Sequence, residues 1–162
     1  MRDDWLTASD ELLLRECRLE FRKASGNGGQ KVNKTSSAVR LSHEPSGLAV
    51  TSAESRSQHE NRRHALKALR MKIALSFRLP PDPAFRIGET ATSMHNPAYP
   101  LWAAKLLDGF QFHEGDLKSA AADLGISPSR LAKLLWRDPV LWTEANRIRA
   151  SFSLPPLKAM EK

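Results

Sequence analysis

Cysteine is almost missing from this chain: Cys17 is the only one among 162 residues. No internal disulfide can form, which fits a reducing compartment. No apolar run approaches the roughly 18 residues of a membrane span. The opening Met1-Arg2-Asp3-Asp4-Trp5 lacks the basic and apolar blocks of a secretory signal and the acid-poor character of a mitochondrial one. The expectation is a soluble, cytoplasmic monomer with no membrane partner. Metal-ligand spacing is absent too. His43, His59, His64, His95 and His113 show no pairing, and His59 and His64, five apart, fall on different sides of a helix. No Ser/His/Asp or thiol-based arrangement can be read. Neither a metal nor a cofactor is expected.

What is present is a bare, cation-ringed loop. Ser25-Gly26-Asn27-Gly28-Gly29-Gln30-Lys31-Val32-Asn33 holds three glycines within four positions. Such a run offers no surface for a core and weakens any helix or strand, but it lets a backbone approach a ligand closely. Gln30 ends it, with Arg22, Lys23, Lys31 and Lys34 around it. The loop lacks the Gly-Lys-Ser/Thr ending of a nucleotide-binding P-loop and the spacing of a dinucleotide fold. A glycine-rich hairpin turn is the plainer alternative. Charge favours function. Residues 1–17 carry a net −3, residues 18–78 a net +9 and residues 79–162 a net +1. The basic excess surrounds the loop, and a concentrated positive field steers toward nucleic acid.

The flanking pattern predicts a small α+β domain. Ser9-Asp10-Glu11 before Leu12-Leu13-Leu14 reads as a capped short helix. Cys17 to Arg22 alternates as a strand with Cys17, Leu19 and Phe21 inward, so Cys17 is read as a buried thiol. Ala38 to Ser42 alternates again, Glu44-Pro45-Ser46-Gly47 is a turn, and Leu48 to Thr51 returns. This small antiparallel sheet needs a cover. The next helix, about Gln58 to Phe77, supplies it through Leu66, Leu69, Ile73 and Phe77. Arg63, Lys67 and Arg70 line up beside that stripe, as a solvated face or as a row for RNA phosphates.

Leu79-Pro80-Pro81-Asp82-Pro83 stops the helix. Residues 80–98 hold four prolines and no period, which makes them a linker or a wrapped irregular segment. Four helices follow: Leu101 to Leu107, Asp116 to Leu124, Ser127-Pro128 to about Trp136, and Asp138-Pro139 to near Ser151. Ala121, Gly125, Leu131 and Leu134 resemble a helix-turn-helix pattern, with Arg130, Lys133 and Arg137 along one exposed side. Trp136 and Trp142 are read as core. The expected division is an α+β domain holding the glycine loop over 1–79, a proline-rich linker over 80–98 and an all-α, helix-turn-helix-like domain over 99–162.

Arg22, Ser25-Gly26, Gly28-Gly29-Gln30, Val32-Asn33, Ser37-Ala38-Val39-Arg40, Pro45-Ser46-Gly47, Arg56-Ser57-Gln58, Asn61-Arg62 and Ala65 together resemble the catalytic domain of class I peptide chain release factors. The resemblance covers roughly residues 12 to 78, about two fifths of the chain. It implies that Gly28, Gly29 and Gln30 enter the ribosomal peptidyl transferase centre, where water attacks the ester joining peptide to tRNA. A backbone N–H of Gln30, uncovered by Gly28 and Gly29, would donate to the charge developing on oxygen; preorganised donors of that kind contribute about 10²–10³ in rate. The neutral Gln30 amide would orient the water. The resemblance also implies RNA contacts by Asn33, Arg56, Gln58 and Arg62, proton handling by RNA hydroxyls, and a glutamine N5-methyltransferase acting on Gln30. The implied partners are large-subunit rRNA and peptidyl-tRNA.

Two departures shape the expectation. Only 16 residues precede the first strand, leaving no room for a codon-reading domain. The chain is thus more similar to short release-factor-like rescue hydrolases, which free peptides from stalled ribosomes. Those commonly carry a basic tail, whereas residues 152–162 hold only Lys158 and Lys162. The helical domain is expected to replace that tail. Alternatives are a hydrolase of split large subunits, a non-catalytic ribosome-binding factor and a helix-turn-helix regulator.

Overall fold

The computed structural model describes residues 1–23, 37–88 and 92–160. The chain forms two compact units, Met1–Ile73 and Ala74–Lys162. It is mixed α+β: a three-stranded antiparallel sheet packed on a long helix, followed by helices.

The first unit opens with α1 (Arg2–Thr7) and α2 (Asp10–Arg15). The sequence pattern did not disclose α1, because six residues with Trp5 and Leu6 as the only apolar side chains show no period. Packing holds it: the Trp5 ring meets His43 edge-on at 5.0 Å between centroids. Ser9 caps α2, its Oγ accepting from the Leu12 N–H at 3.2 Å. Next come β1 (Cys17–Arg22), β2 (Ala38–His43) and β3 (Leu48–Ser52), in sheet order β1-β2-β3. Leu19 pairs with Leu41 and Leu41 with Val50, so the apolar phases coincide across all three strands. Val39, Leu41 and His43 are buried while Arg40 and Ser42 are partly open. Phe21 departs from its expected inward burial and is 43% exposed. It sits near the end of an edge strand, with a neighbouring strand on one side only.

The β2–β3 turn needs Gly47 at φ +70°. The buried His43 ring is satisfied on both nitrogens, Nδ1 with Ser46 Oγ at 2.7 Å and Nε2 with Glu16 Oε2 at 3.2 Å. The long helix, α3 (Gln58–Ser76), has Ser57 at its head, where Oγ accepts from the Glu60 N–H at 3.3 Å. Its buried side runs Asn61, Ala65, Leu66, Leu69, Ile73. Phe77, expected in the same stripe, is half-buried.

The second unit contains α4 (Tyr99–Phe112), α5 (Leu117–Asp123), α6 (Pro128–Arg137) and α7 (Pro139–Ser151). Asp116, Ser127 and Asp138 each accept from a first-turn N–H at the heads of α5, α6 and α7. Asp138 is buried because its other oxygen takes the Tyr99 hydroxyl at 2.7 Å. The Tyr99 hydroxyl is pushed far above its ordinary pKa by burial and then by that carboxylate. Gly125 turns the chain between α5 and α6 at φ +72°. Leu131, Leu134 and Leu135 form the buried side of α6. Trp136, expected in the core, lies just past that side and is 36% exposed, its ring edge-on to Trp142 at 4.8 Å. The proline-rich segment before α4 packs on this unit. Ile87 is buried and its N–H donates to the Leu124 carbonyl at 3.0 Å. Lys105 pairs with Asp82 at 2.7 Å. Among the described residues no helix is long and apolar enough to cross a membrane.

Candidate functional site

Gly28, Gly29, Gln30, Lys31, Asn33 and Lys34 lie outside the described residues. Their roots do not. β1 ends in Arg22, which pairs in register with Ala38 of β2, and Lys23 follows it in the open. Ser37 is buried and gives its carbonyl to Asn61 Nδ2 at 2.7 Å. Asn61 stands in the first turn of α3, so the exit of the glycine segment meets the head of the basic helix. Arg56 and Gln58 are exposed at that head. Arg62, partly buried, holds a buried Nε with no hydrogen-bond partner among the described residues. Arg22, Lys23, Arg56, Gln58 and Arg62 are thereby gathered at the end of the unit from which residues 24–36 depart.

The basic row on α3 is shorter than the spacing suggested. Arg63 and Lys67 are exposed. Arg70 is turned inward, its Nη1 on Asp10 Oδ1 at 2.7 Å and its Nη2 on the Ala8 carbonyl at 2.6 Å. It ties α3 to the α1–α2 corner instead of presenting a charge. The reason is tertiary: a carboxylate and a carbonyl from 60 residues away occupy its five-donor fork.

Sequence reasoning overlooked two arginines. Glu20 on β1 lies 3.6 Å from Arg18, 3.4 Å from Arg22 and 3.6 Å from Arg40 on β2. Three guanidiniums around one carboxylate form a net positive outer face on the sheet. The strand alternation already put Arg18, Glu20 and Arg22 on one side; only the register of β1 against β2 adds Arg40. Cys17, on the opposite side, is half-buried, and burial, followed by the Glu16 carboxylate, pushes its thiol up to about 11. A thiol held protonated at neutral pH is no nucleophile. No cluster of three or more metal-ligating side chains occurs among the described residues.

In the second unit two of the three residues of the expected contact row make internal bonds. Arg130 bonds the Gly88 carbonyl, and Arg137 Nη2 bonds the Thr92 carbonyl at 2.8 Å while its guanidinium sits 5.8 Å over the Trp102 ring. Lys133 and Arg137 are both exposed on α6, and Arg130 is partly buried. The chain segment ahead of α4 therefore takes two of the side chains that a helix-turn-helix would offer to nucleic acid.

Fold and site define a small α+β domain in which the strand ends that flank residues 24–36 lie beside a helix with exposed basic residues. Comparison with known proteins places this domain. Residues 9–83, a stretch that includes Gly28-Gly29-Gln30, match the RF-1 domain family. The chain is 50% identical over 58 residues to peptide chain release factor 1 of Aliarcobacter butzleri. It is 52% identical over 58 residues to peptide chain release factor 2 of Paramagnetospirillum magneticum. Over 64 residues it is 50% identical to the mitochondrial peptide chain release factor 1 of Kluyveromyces lactis. These matches take in 36–40% of this chain and 16% of each relative. The match to the family ends at residue 83, before the four helices of the second unit.

Proposed function

We propose that this chain hydrolyses the ester joining a nascent peptide to tRNA, on the ribosome and without reading a codon. The observation that carries the reading is Gly28-Gly29-Gln30 within the stretch that matches the RF-1 domain, between β1 and β2 in the chain. During attack by water, negative charge grows on the carbonyl oxygen and on the departing ribose 3′ oxygen. The Gln30 backbone N–H donates to that charge, and glycines before it leave the approach unobstructed. The Gln30 side-chain amide orients the water and stays neutral at physiological pH. Electrostatic preorganisation and positioning are the protein's contribution. The cationic surface of residues 18–78, net +9, binds rRNA phosphates. Gln30 is the residue a glutamine N5-methyltransferase would modify, and the setting is cytoplasmic.

The helical unit serves placement on the ribosome. The test is a release assay with labelled peptidyl-tRNA on ribosomes whose decoding site holds a stop codon, a sense codon or no mRNA. Split large subunits and free peptidyl-tRNA complete the set. The expected result is release from ribosomes with an empty decoding site. Release at stop codons alone would overturn codon independence, and release from split subunits alone would reassign the substrate. Binding without release would leave a non-catalytic ribosome-binding factor.

A further inference from the structure

The buried side of α3 repeats every four residues through Asn61, Ala65, Leu69 and Ile73, each 0% exposed. Three of these are apolar and one is an amide, at the end of the helix next to the root of the glycine segment. Burying an amide is unfavourable unless its hydrogen-bonding capacity is met. Here it is met in full. Nδ2 donates to the Ser37 carbonyl at 2.7 Å and to the Ser55 carbonyl at 2.7 Å. Oδ1 accepts from the Ser55 N–H at 2.9 Å and the Ser52 hydroxyl at 3.4 Å. Two donors and two lone pairs are all an asparagine side chain has.

These four bonds join three separate stretches: the residue entering β2, the end of β3 and the connection into α3. We infer that Asn61 is a positioning residue for the release reaction proposed above, fixing the exit of the glycine segment at Ser37 against the head of the basic helix. The inference rests on that reading, since it concerns where the tip is presented relative to the surface that grips RNA. The Asn61 side chain reaches no reacting atom; it acts through Ser37. An apolar residue would pack in the stripe equally well and would leave the Ser37 and Ser55 carbonyls without their donor. The asparagine is therefore explained by the groups it satisfies at the loop root and in the connection into α3.

The test uses the full-length chain with Asn61→Asp, which keeps the shape and the acceptor but removes both donated bonds. Asn61→Ala, which removes both donors without adding a charge, is the second variant should the first fail to fold. Single-turnover release is titrated against factor concentration, with thermal melting in parallel. The expected result is a maximal rate lowered at least about tenfold, with the concentration for half-maximal release within about threefold of wild type, because the phosphate-binding residues are untouched. A merely structural role would reduce the folded fraction, moving the half-maximal concentration while saturation restored the maximal rate. Either variant keeping a maximal rate within twofold of wild type overturns the inference alone. A wild-type chain that releases no peptide overturns the release reading, and this inference with it.

Discussion

In the release reaction proposed above, a single methyl group at Gly29 separates binding from chemistry. On that proposal a Cβ would cover the backbone that approaches the ester and would leave every cation in place. Gly29→Ala is expected to lower peptide release at least about 10²-fold, the scale of one lost preorganised donor. Ribosome binding should stay within about twofold, which a pelleting assay measures beside the release rate. Cys17 makes a second residue-scale case. Its thiol, held at about 11 against an ordinary value of 9.0, contributes stability that is fully present below pH 9 and is lost as pH rises through 11. Alkylation of the native chain by iodoacetamide at pH 8.5 should run at least about tenfold slower than in urea-unfolded chain. Equal rates would mean that the thiol is open to solvent and not held protonated.

Elements owe their positions here to a few long-range polar ties. Arg70 fastens the middle of α3 to the α2 head, and Asn61 fastens its first turn to the sheet. On α6, Arg130 and Arg137 hold the carbonyls of Gly88 and Thr92. Replacing both with alanine should free the segment ahead of α4. Limited proteolysis between Phe85 and Ser93 is then expected to accelerate at least about fivefold with little change in the protection of α4 to α7, as local opening costs much less than global unfolding. Unchanged cleavage would show that the Ile87–Leu124 bond and the apolar contacts suffice. The strand pattern, the caps at Ser9, Ser127 and Asp138 and the turn at Gly125 were legible from sequence because each is a local preference. The internal bonds of Arg70, Arg130 and Arg137 were not legible because their partners lie 42 to 62 residues away in sequence.

At the scale of the molecule, charge is divided unequally, net +9 over residues 18–78 against +1 over 79–162. Ribosome affinity should therefore fall steeply with salt, and the first unit should set the slope. Neutralising Arg63 and Lys67 together is expected to reduce the slope of log affinity against log salt by about 1.5, two contacts at 0.7–0.9 each. Neutralising Lys118 and Lys133 should leave the slope within about 0.3, the scale of less than half a phosphate contact. Arg70→Ala serves as the contrast: its slope should be that of wild type, while stability falls by about 1–2 kcal/mol on losing a bond to a carboxylate and a carbonyl. A slope unmoved by the Arg63 and Lys67 change would reduce that pair to a solvated face.

The sequence by itself determined the elements with strong local signals: the alternating strands, the capped helices, the concentration of charge and the bare Gly28-Gly29-Gln30 run. Each depends on residues within a few positions of one another, where backbone preference and periodicity act. Tertiary structure alone decided which polar groups are spent and which are offered. It made α1 a helix through the Trp5–His43 contact, left Phe21 and Trp136 partly in solvent, and withdrew Arg70 from the basic row. It also turned Asn61 from one more helix residue into the tie at the root of the glycine segment. Those outcomes depend on which distant carbonyl or carboxylate arrives within hydrogen-bonding distance, and only the folded chain brings them there.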